Sequence, residues 1–359
     1  MHVPGRASAW TTLLWYRMRR LGPNRCRRYR DVMEWTADVD AGDWIAKGVD
    51  DPWRSTLHDV VPRGFGAYAR VLHPVTRERP VGREWPAEGD VTGWRAFQAA
   101  VPEIDVEPVR WEQVAAAFGT TMHPLAQWSR LVRADARDDG FGQPRDLDGW
   151  RYDAPQEGEL DPASWATLAR VLVRHTLQPH DGGVAVWEGW GGLVGGLGYG
   201  ASRLFVEMDA DPQHAAFLAH AARDKFNDAF RKPSWQPGIL SDTISRGPRL
   251  DLPRRSFVLF RGGIAELEEP DWPARMPWQD PALTAAGFSA KAHSPAIVWP
   301  ADRAWVVVSE IDFDSTIVAG RSELITELAR TPGLEVQPLP FDADLSADGD
   351  TVNRTAPRR

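Results

Sequence analysis

Hydrophobic positions in this chain fall into short runs broken by proline- and glycine-rich turns, and the densest run lies between His293 and Arg321. Ala296–Trp299 and Ala304–Ile311 read as two strands joined by Pro300-Ala301-Asp302-Arg303, where proline presets φ and aspartate can bond the backbone two residues on. In the second strand Trp305, Val307 and Ile311 share one face with Ser309, while Ala304, Val306, Val308 and Glu310 share the other. Both faces begin apolar, which predicts a central strand covered on both sides.

Elsewhere the pattern alternates between helix and strand periods. Pro162–His175 is predicted to be a helix: Asp161 is a good N-cap, proline suits the first helical position, and Trp165, Leu168, Ala169 and Leu172 form one stripe. Trp111–Phe118 forms a second helix closed by Gly119, and Ser322–Ala329 a third. Shorter helices are expected over Asp40–Lys47 and Pro124–Val132, with a further one opening at Asp211-Pro212. Strands are expected at Tyr68–Val71, Val184–Glu188 and Arg255–Arg261, the last two as a pair. Residues 76–96 and 134–160 read as loops, being polar and rich in proline, glycine or aspartate. The glycine-dense run Gly189–Gly200 has neither a lysine nor a serine or threonine in phosphate-loop register, so close backbone approach is its expected use. The predicted fold class is α+β, with a mixed, mainly antiparallel sheet and packed helices.

Charge divides the chain unevenly. Residues 1–32 hold eight arginines against one acid, so the net charge of -8 splits into +7 there and -15 beyond. That leader reads as a basic extension, disordered or preceding the true start at Met33, and nucleic acid binding is expected only if this arm supplies it. Residues 33–340 are expected to form a single α+β domain with a variable insertion near 193–253, and 341–359 a disordered acidic tail. One cysteine, Cys26, and no long apolar run exclude a disulfide framework and a helical membrane span, which fits a cytoplasmic protein. Tryptophan is abundant, eighteen against five tyrosines, and a groove lined by Trp187, Trp190, Trp299 and Trp305 beside Arg303 is the candidate binding surface.

Candidate chemistry gathers after the central strand. Continued alternation would place Glu310, Asp312 and Asp314 on one face about 7 Å apart, where they need water, arginine or a metal ion. Arg303 and Arg321 are the nearest cations in sequence, and pairing with them is the preferred reading over a magnesium or manganese site. The strand followed by Asp312-Phe313-Asp314-Ser315-Thr316 resembles the first motif of haloacid-dehalogenase-type phosphatases, which would make Asp312 the nucleophile and Asp314 the general acid. That family's later lysine has no counterpart, because no lysine follows Thr316. Histidines 73, 123, 175, 180 and 293 lack metal-ligand spacing. The tail copies only the first half of a calcium loop at Asp344-x-Ser346-x-Asp348-Gly349-Asp350.

Four separated blocks occur in order: PRGFGAYARVLHPV (62–75), VWEGWG (186–191), SFVLFRGG (256–263) and SPAIVWPADRAWVVVSEIDFDSTIVAG (294–320). Together they resemble an uncharacterised actinobacterial protein family. The resemblance implies that the D-x-D-S-T run belongs to that family's own pattern, and it implies no activity or cofactor. Two function classes follow from the residues. The first is a non-enzymatic binding or regulatory protein, immunity-like, whose partner is another protein and which needs no cofactor. The alternative is a divalent-metal hydrolase or transferase acting on a phosphorylated or sugar-nucleotide substrate through Glu310, Asp312 and Asp314.

Overall fold

The structure, a computed structural model, describes residues 33–50, 56–87, 89–133, 143–198 and 233–354. The basic leader, the helix expected from Asp211 and most of the expected insertion lie outside the described residues. The first seven strands are β1 (Glu34–Trp35), β2 (Ala67–Leu72), β3 (Val75–Pro80), β4 (Ile104–Val109), β5 (Arg151–Tyr152), β6 (Gly182–Trp187) and β7 (Gly196–Gly198). They are followed by β8 (Ser234–Gln236), β9 (Leu250–Asp251), β10 (Ser256–Arg261), β11 (Ile297–Pro300), β12 (Val306–Val308), β13 (Ser315–Gly320) and β14 (Val336–Leu339).

The main sheet runs β1-β10-β6-β11-β12-β13-β2-β14, with β9 added beside β10, and every pairing in it is antiparallel. The expected α+β class is therefore what the chain adopts, and the expected pairing of Arg255–Arg261 with Val184–Glu188 is the β10–β6 ladder, with Val258 opposite Val186. β12 sits between β11 and β13 in the interior of the sheet. Its side chains divide as the alternation requires. Val307 joins Val184, Val298 and Val318 under the Pro162–Leu172 and Ser322–Leu328 helices. Val306 and Val308 face the other way, toward Ile45, Leu57, Phe257 and Leu345. Burying a continuous apolar strand on both faces is the strongest drive available to this chain, at roughly 25 cal/mol per Å² of apolar surface removed from water.

Local signals decide the helix ends. Asp161 accepts hydrogen bonds from the Ala163 and Ser164 amides at 3.0 Å each, which starts the Pro162–Leu172 helix where the sequence places it. Gly119 ends the Trp111–Phe118 helix at φ 62°, a left-handed conformation that glycine adopts without steric cost. The helix expected over Pro124–Val132 is shorter, Trp128–Leu131.

Three expectations fail. Residues 76–96 are a loop only between the two elements: β3 takes up 76–80 and the Val91–Ala99 helix begins at 91, and β3 is the middle strand of a second sheet, β4-β3-β5. The sequence Val-Thr-Arg-Glu-Arg-Pro hides this strand because its stability comes from cross-strand ion pairs more than from burial. Arg77 Nε donates to Glu107 Oε1 at 2.7 Å, Arg151 Nε donates to Glu78 Oε1 at 3.0 Å, and both Arg77 and Arg79 lie over the Trp150 ring. Second, the described part of 134–160 is no exposed loop, since Trp150, Tyr152 and Leu160 are buried. Third, 341–354 is not a disordered tail. Ala343 and Leu345 are part of the core, Ala343 O accepts from the Leu57 amide at 2.9 Å, and Asp350 is fully buried. Asp350 accepts hydrogen bonds from His123, Gln127 and Asn353, so an acidic segment folds by having its one buried carboxylate surrounded with donors.

Two measurements check this architecture. Amides of Val306–Val308 are expected to exchange only with global unfolding, as a strand buried on both faces should. Deleting residues 341–354 is expected to cost roughly 3 kcal/mol, since burying one leucine contributes about 1.5–3 kcal/mol before the Asp350 bonds are counted. An unchanged thermal melt of the truncated chain would return the segment to the status of a tail.

Candidate functional site

The carboxylates of interest do not lie on a strand. β12 ends at Val308, and residues 309–314 turn over to β13, with the Phe313 amide bonded to Glu310 O at 3.0 Å. Alternation therefore stops before Glu310, and the three acids point to different places. Glu310 is 8 % exposed and its Oε1 accepts from Arg255 Nε at 3.1 Å and Nη2 at 2.8 Å. The same Nη2 donates to Asp312 Oδ2 at 2.6 Å, but the Asp312 side chain is 70 % exposed. Asp314 turns to Arg70, whose Nη2 donates to its Oδ1 at 3.0 Å.

Arg70 is the least expected residue of the group. It sits mid-strand in β2 with its side chain 3 % exposed, and all of its neighbours are acceptors. Besides Asp314 it donates to Ser315 Oγ at 3.1 Å, Ala126 O at 2.8 Å and Pro124 O at 3.3 Å. Burial pulls its guanidinium below the ordinary arginine value and Asp314 pulls it back up, which leaves a charged group held by one carboxylate and three neutral oxygens. On the opposite face of the same strand end a second polar chain runs. His73 Nδ1 meets Gln156 O at 2.5 Å, so the carbonyl assigns the proton to Nδ1 and makes Nε2 an acceptor. Thr316 Oγ1 lies 2.9 Å from that Nε2, and Ser309 Oγ lies 2.7 Å from Thr316 Oγ1.

Asp-Ser-Thr thus works as a clasp between two distant pieces of chain. Ser315 pairs with Leu72 and Thr316 with Val71 in the β13–β2 ladder, which puts Asp314 and Ser315 on Arg70 and Thr316 on His73. The phosphatase roles suggested for Asp312 and Asp314 need a parallel sheet with further βα units, and none of the described pairings in the main sheet is parallel.

Arg303 and Arg321, the partners expected from sequence proximity, are not the cations that hold these acids. Arg303 lies over the Trp44 ring at 5.2 Å, and Arg321 stands at the N-cap position of the Ser322–Leu328 helix without a side-chain capping bond. The four candidate tryptophans do not line one groove either. Trp299 and Trp305 are buried in the clusters on opposite faces of the sheet, and Trp305 Nε1 donates to Leu172 O at 3.1 Å. Trp187 and Trp190 are half-buried and meet edge-on at 5.3 Å. Trp187 carries Arg255 over its ring at 5.3 Å, and Trp190 stacks on His293 at 4.4 Å. His293 bonds Glu159 at 2.5 Å and His123 bonds Asp350 at 2.8 Å, so neither reaches the three carboxylates. Burial acts to raise the Glu159 carboxyl, but the bond and charge of His293, the Lys291 charge and the Ser294 amide together hold the group below its ordinary range.

What the geometry does assemble is a cleft of about 390 Å³ between Asp312, Asp314, Glu157, Arg254 and the rings of Trp128 and Phe313. Glu157 arrives there because Gly158, at φ 70°, lets its segment lie directly on the 311–313 turn: a Cβ at Gly158 would sit 2.7 Å from Ile311 Cα. The Gly158 amide donates to Phe313 O at 2.8 Å and fixes that contact. Burial, then the charges of Asp314 and Asp312, push the Glu157 carboxyl above its ordinary value. Three carboxyl groups thus line the cleft together with the guanidinium groups of Arg70 and Arg254. Glu157 escaped the sequence reading because it lay in a presumed loop. Arg70 was legible only as an arginine inside an apolar strand. Among the described residues no group of three histidine, cysteine, aspartate or glutamate side chains is placed to hold a metal ion. No helix among them is long and apolar enough to cross a membrane.

The class that fold and site define is an antiparallel α+β protein with arginine-clasped carboxylates beside a small cleft. Comparison of the chain with family models, with curated proteins and with solved structures returns no match.

Asp314→Ala should destabilise the protein by about 3–5 kcal/mol, because it leaves the buried Arg70 charge without its counter-ion. Asp312→Asn should cost about 0–1 kcal/mol, since its pairing with Arg255 is solvent-exposed. Equal losses in chemical denaturation would refute the ranking. Burial also lowers the His73 pKa from its ordinary 6.5, opposed by its bond to Gln156. The unfolded chain then takes up a proton that the fold refuses. The His73 contribution is complete above about pH 6.5 and is lost as pH falls through that value toward the lower folded one. Melts of the wild type and His73→Gln between about pH 7.5 and 5.5 should show a flatter profile in the variant.

Proposed function

We propose that this chain is a non-enzymatic, cytoplasmic binding or regulatory protein, immunity-like in kind, whose cleft receives a cationic side chain from a partner protein. The observation that supports this most is the exposed Asp312 carboxylate, 70 % accessible at the mouth of a cleft in which burial, and then the charges of Asp314 and Asp312, raise the Glu157 carboxyl. A guanidinium or ammonium group entering there gains a carboxylate partner and the faces of Trp128 and Phe313, and it relieves the repulsion felt by Glu157. The charge of -15 outside the leader would steer such a partner toward the protein at low salt. Glu310 and Asp314 already have arginine partners, so they serve as framework in this reading and bind no metal. It needs no cofactor.

Calorimetry with an Arg-Gly-Arg-Gly peptide tests this. Binding should weaken at least tenfold in Asp312→Lys and fall with added salt, while the melting temperature stays essentially unchanged. Parallel titrations with magnesium and manganese address the alternative. A micromolar metal site lost in Asp312→Asn would overturn the proposal in favour of a metal-dependent hydrolase or transferase working through Glu310, Asp312 and Asp314.

A further inference from the structure

The second sheet ends on β4, which pairs with β3 on one side and with no described strand on the other. Backbone groups of an antiparallel strand alternate between its two neighbours, and the register here decides which residues face outward. The Val81 amide bonds Glu103 O at 3.0 Å, whereas Thr76 O is taken by the Asp153 amide on the β5 side. Glu103, Asp105, Glu107 and Val109 consequently spend their backbone groups on β3. Ile104, Val106 and Pro108 turn theirs to the free edge, and Pro108, having no N–H, occupies a position where β3 needs none.

Side chains sort by the same parity. Glu103, Asp105 and Glu107 form an acidic row on one face, and Ile104, Val106 and Pro108 an apolar row on the other. Val106 is 57 % exposed, a β-branched side chain presented beside backbone groups that no described strand takes up. The acidic row also selects the occupant. A second copy pairing edge to edge would set carboxylates opposite carboxylates, which is destabilising. A strand that alternates basic and apolar residues meets the acids with cations and the valine with apolar surface.

We propose that the β4 edge is a docking site for an extended segment of a partner protein with alternating basic and apolar residues, which adds to the β4-β3-β5 sheet as a fourth strand. This surface is built from other residues than the cleft and is tested separately. The probe is a ten-residue peptide alternating lysine and valine, added to the whole chain. The amides of Ile104 and Val106 should gain at least tenfold protection from hydrogen exchange, while those of Asp105 and Glu107, already bonded to β3, should change little. Val106→Pro removes only an outward N–H and should weaken binding at least tenfold with the melt unchanged. Should that variant fold poorly, Glu103→Lys with Asp105→Lys keeps the proposal open to refutation: it should abolish binding of the lysine peptide and admit a glutamate–valine peptide instead. Asp312→Lys, which closes the cleft to the lysines of the probe, should keep the β4 protection and its dependence on both β4 variants. In the Asp312→Lys background, no protection on β4, binding indifferent to both β4 variants, or dimerisation through β4 in place of peptide binding would overturn the proposal.

Discussion

Arg70 is the charge on which this fold depends. It stands in β2 with almost no access to water, and such a group is tolerated only where each of its donors meets an acceptor. Those acceptors come from two distant parts of the chain: Asp314 and Ser315 at the head of β13, and the carbonyls of Pro124 and Ala126. One side chain therefore specifies that β2 lies beside β13 in one register and that the turn at residues 124–126 docks where it does. A slip by one residue would bury the guanidinium with no counter-charge, at a cost far above that of an apolar mismatch. His73, Thr316 and Ser309 repeat the logic on the opposite face with neutral groups.

This arrangement explains how a run resembling a catalytic signature serves a different purpose. Aspartates followed by serine and threonine suit phosphoryl chemistry only when their oxygens face a metal and a substrate. Here Asp314, Ser315 and Thr316 spend their hydrogen-bonding capacity on Arg70 and His73, and Glu310 spends its own on Arg255. Asp312 is different, because Arg255 reaches it at the surface and most of the side chain remains in water. The same short segment thus contains framework and recognition chemistry side by side. Burial separates them, which residue type alone does not.

Much of the architecture was legible because it rests on local, periodic signals. The Asp161 cap and the Trp165, Leu168, Leu172 stripe place the longest helix, and the valine run of β12 announces a strand covered on both faces. β3 was invisible for an equally physical reason: a strand stabilised by Arg77–Glu107, Glu78–Arg151 and stacking on Trp150 has no apolar alternation to detect. The segment 341–354 was misread for the same cause, since aspartates and glycine read as a solvated tail until His123 and Gln127 are seen to enclose Asp350.

Sequence alone determined the fold class, the helix boundaries marked by Asp161 and Gly119, the β10–β6 pair and the importance of residues 309–316. These follow from periodicity and from capping chemistry that acts over a few residues. Only the tertiary structure decided which cation meets which acid. Arg303 and Arg321 are close in sequence, but their backbones point them to Trp44 and to a helix start, while Arg255, just before β10, and Arg70, in β2, are 55 and 244 residues away from the acids they hold. The reason is that an ion pair is selected by where the sheet's register brings two side chains and by how much water remains between them, and neither quantity is a property of local sequence.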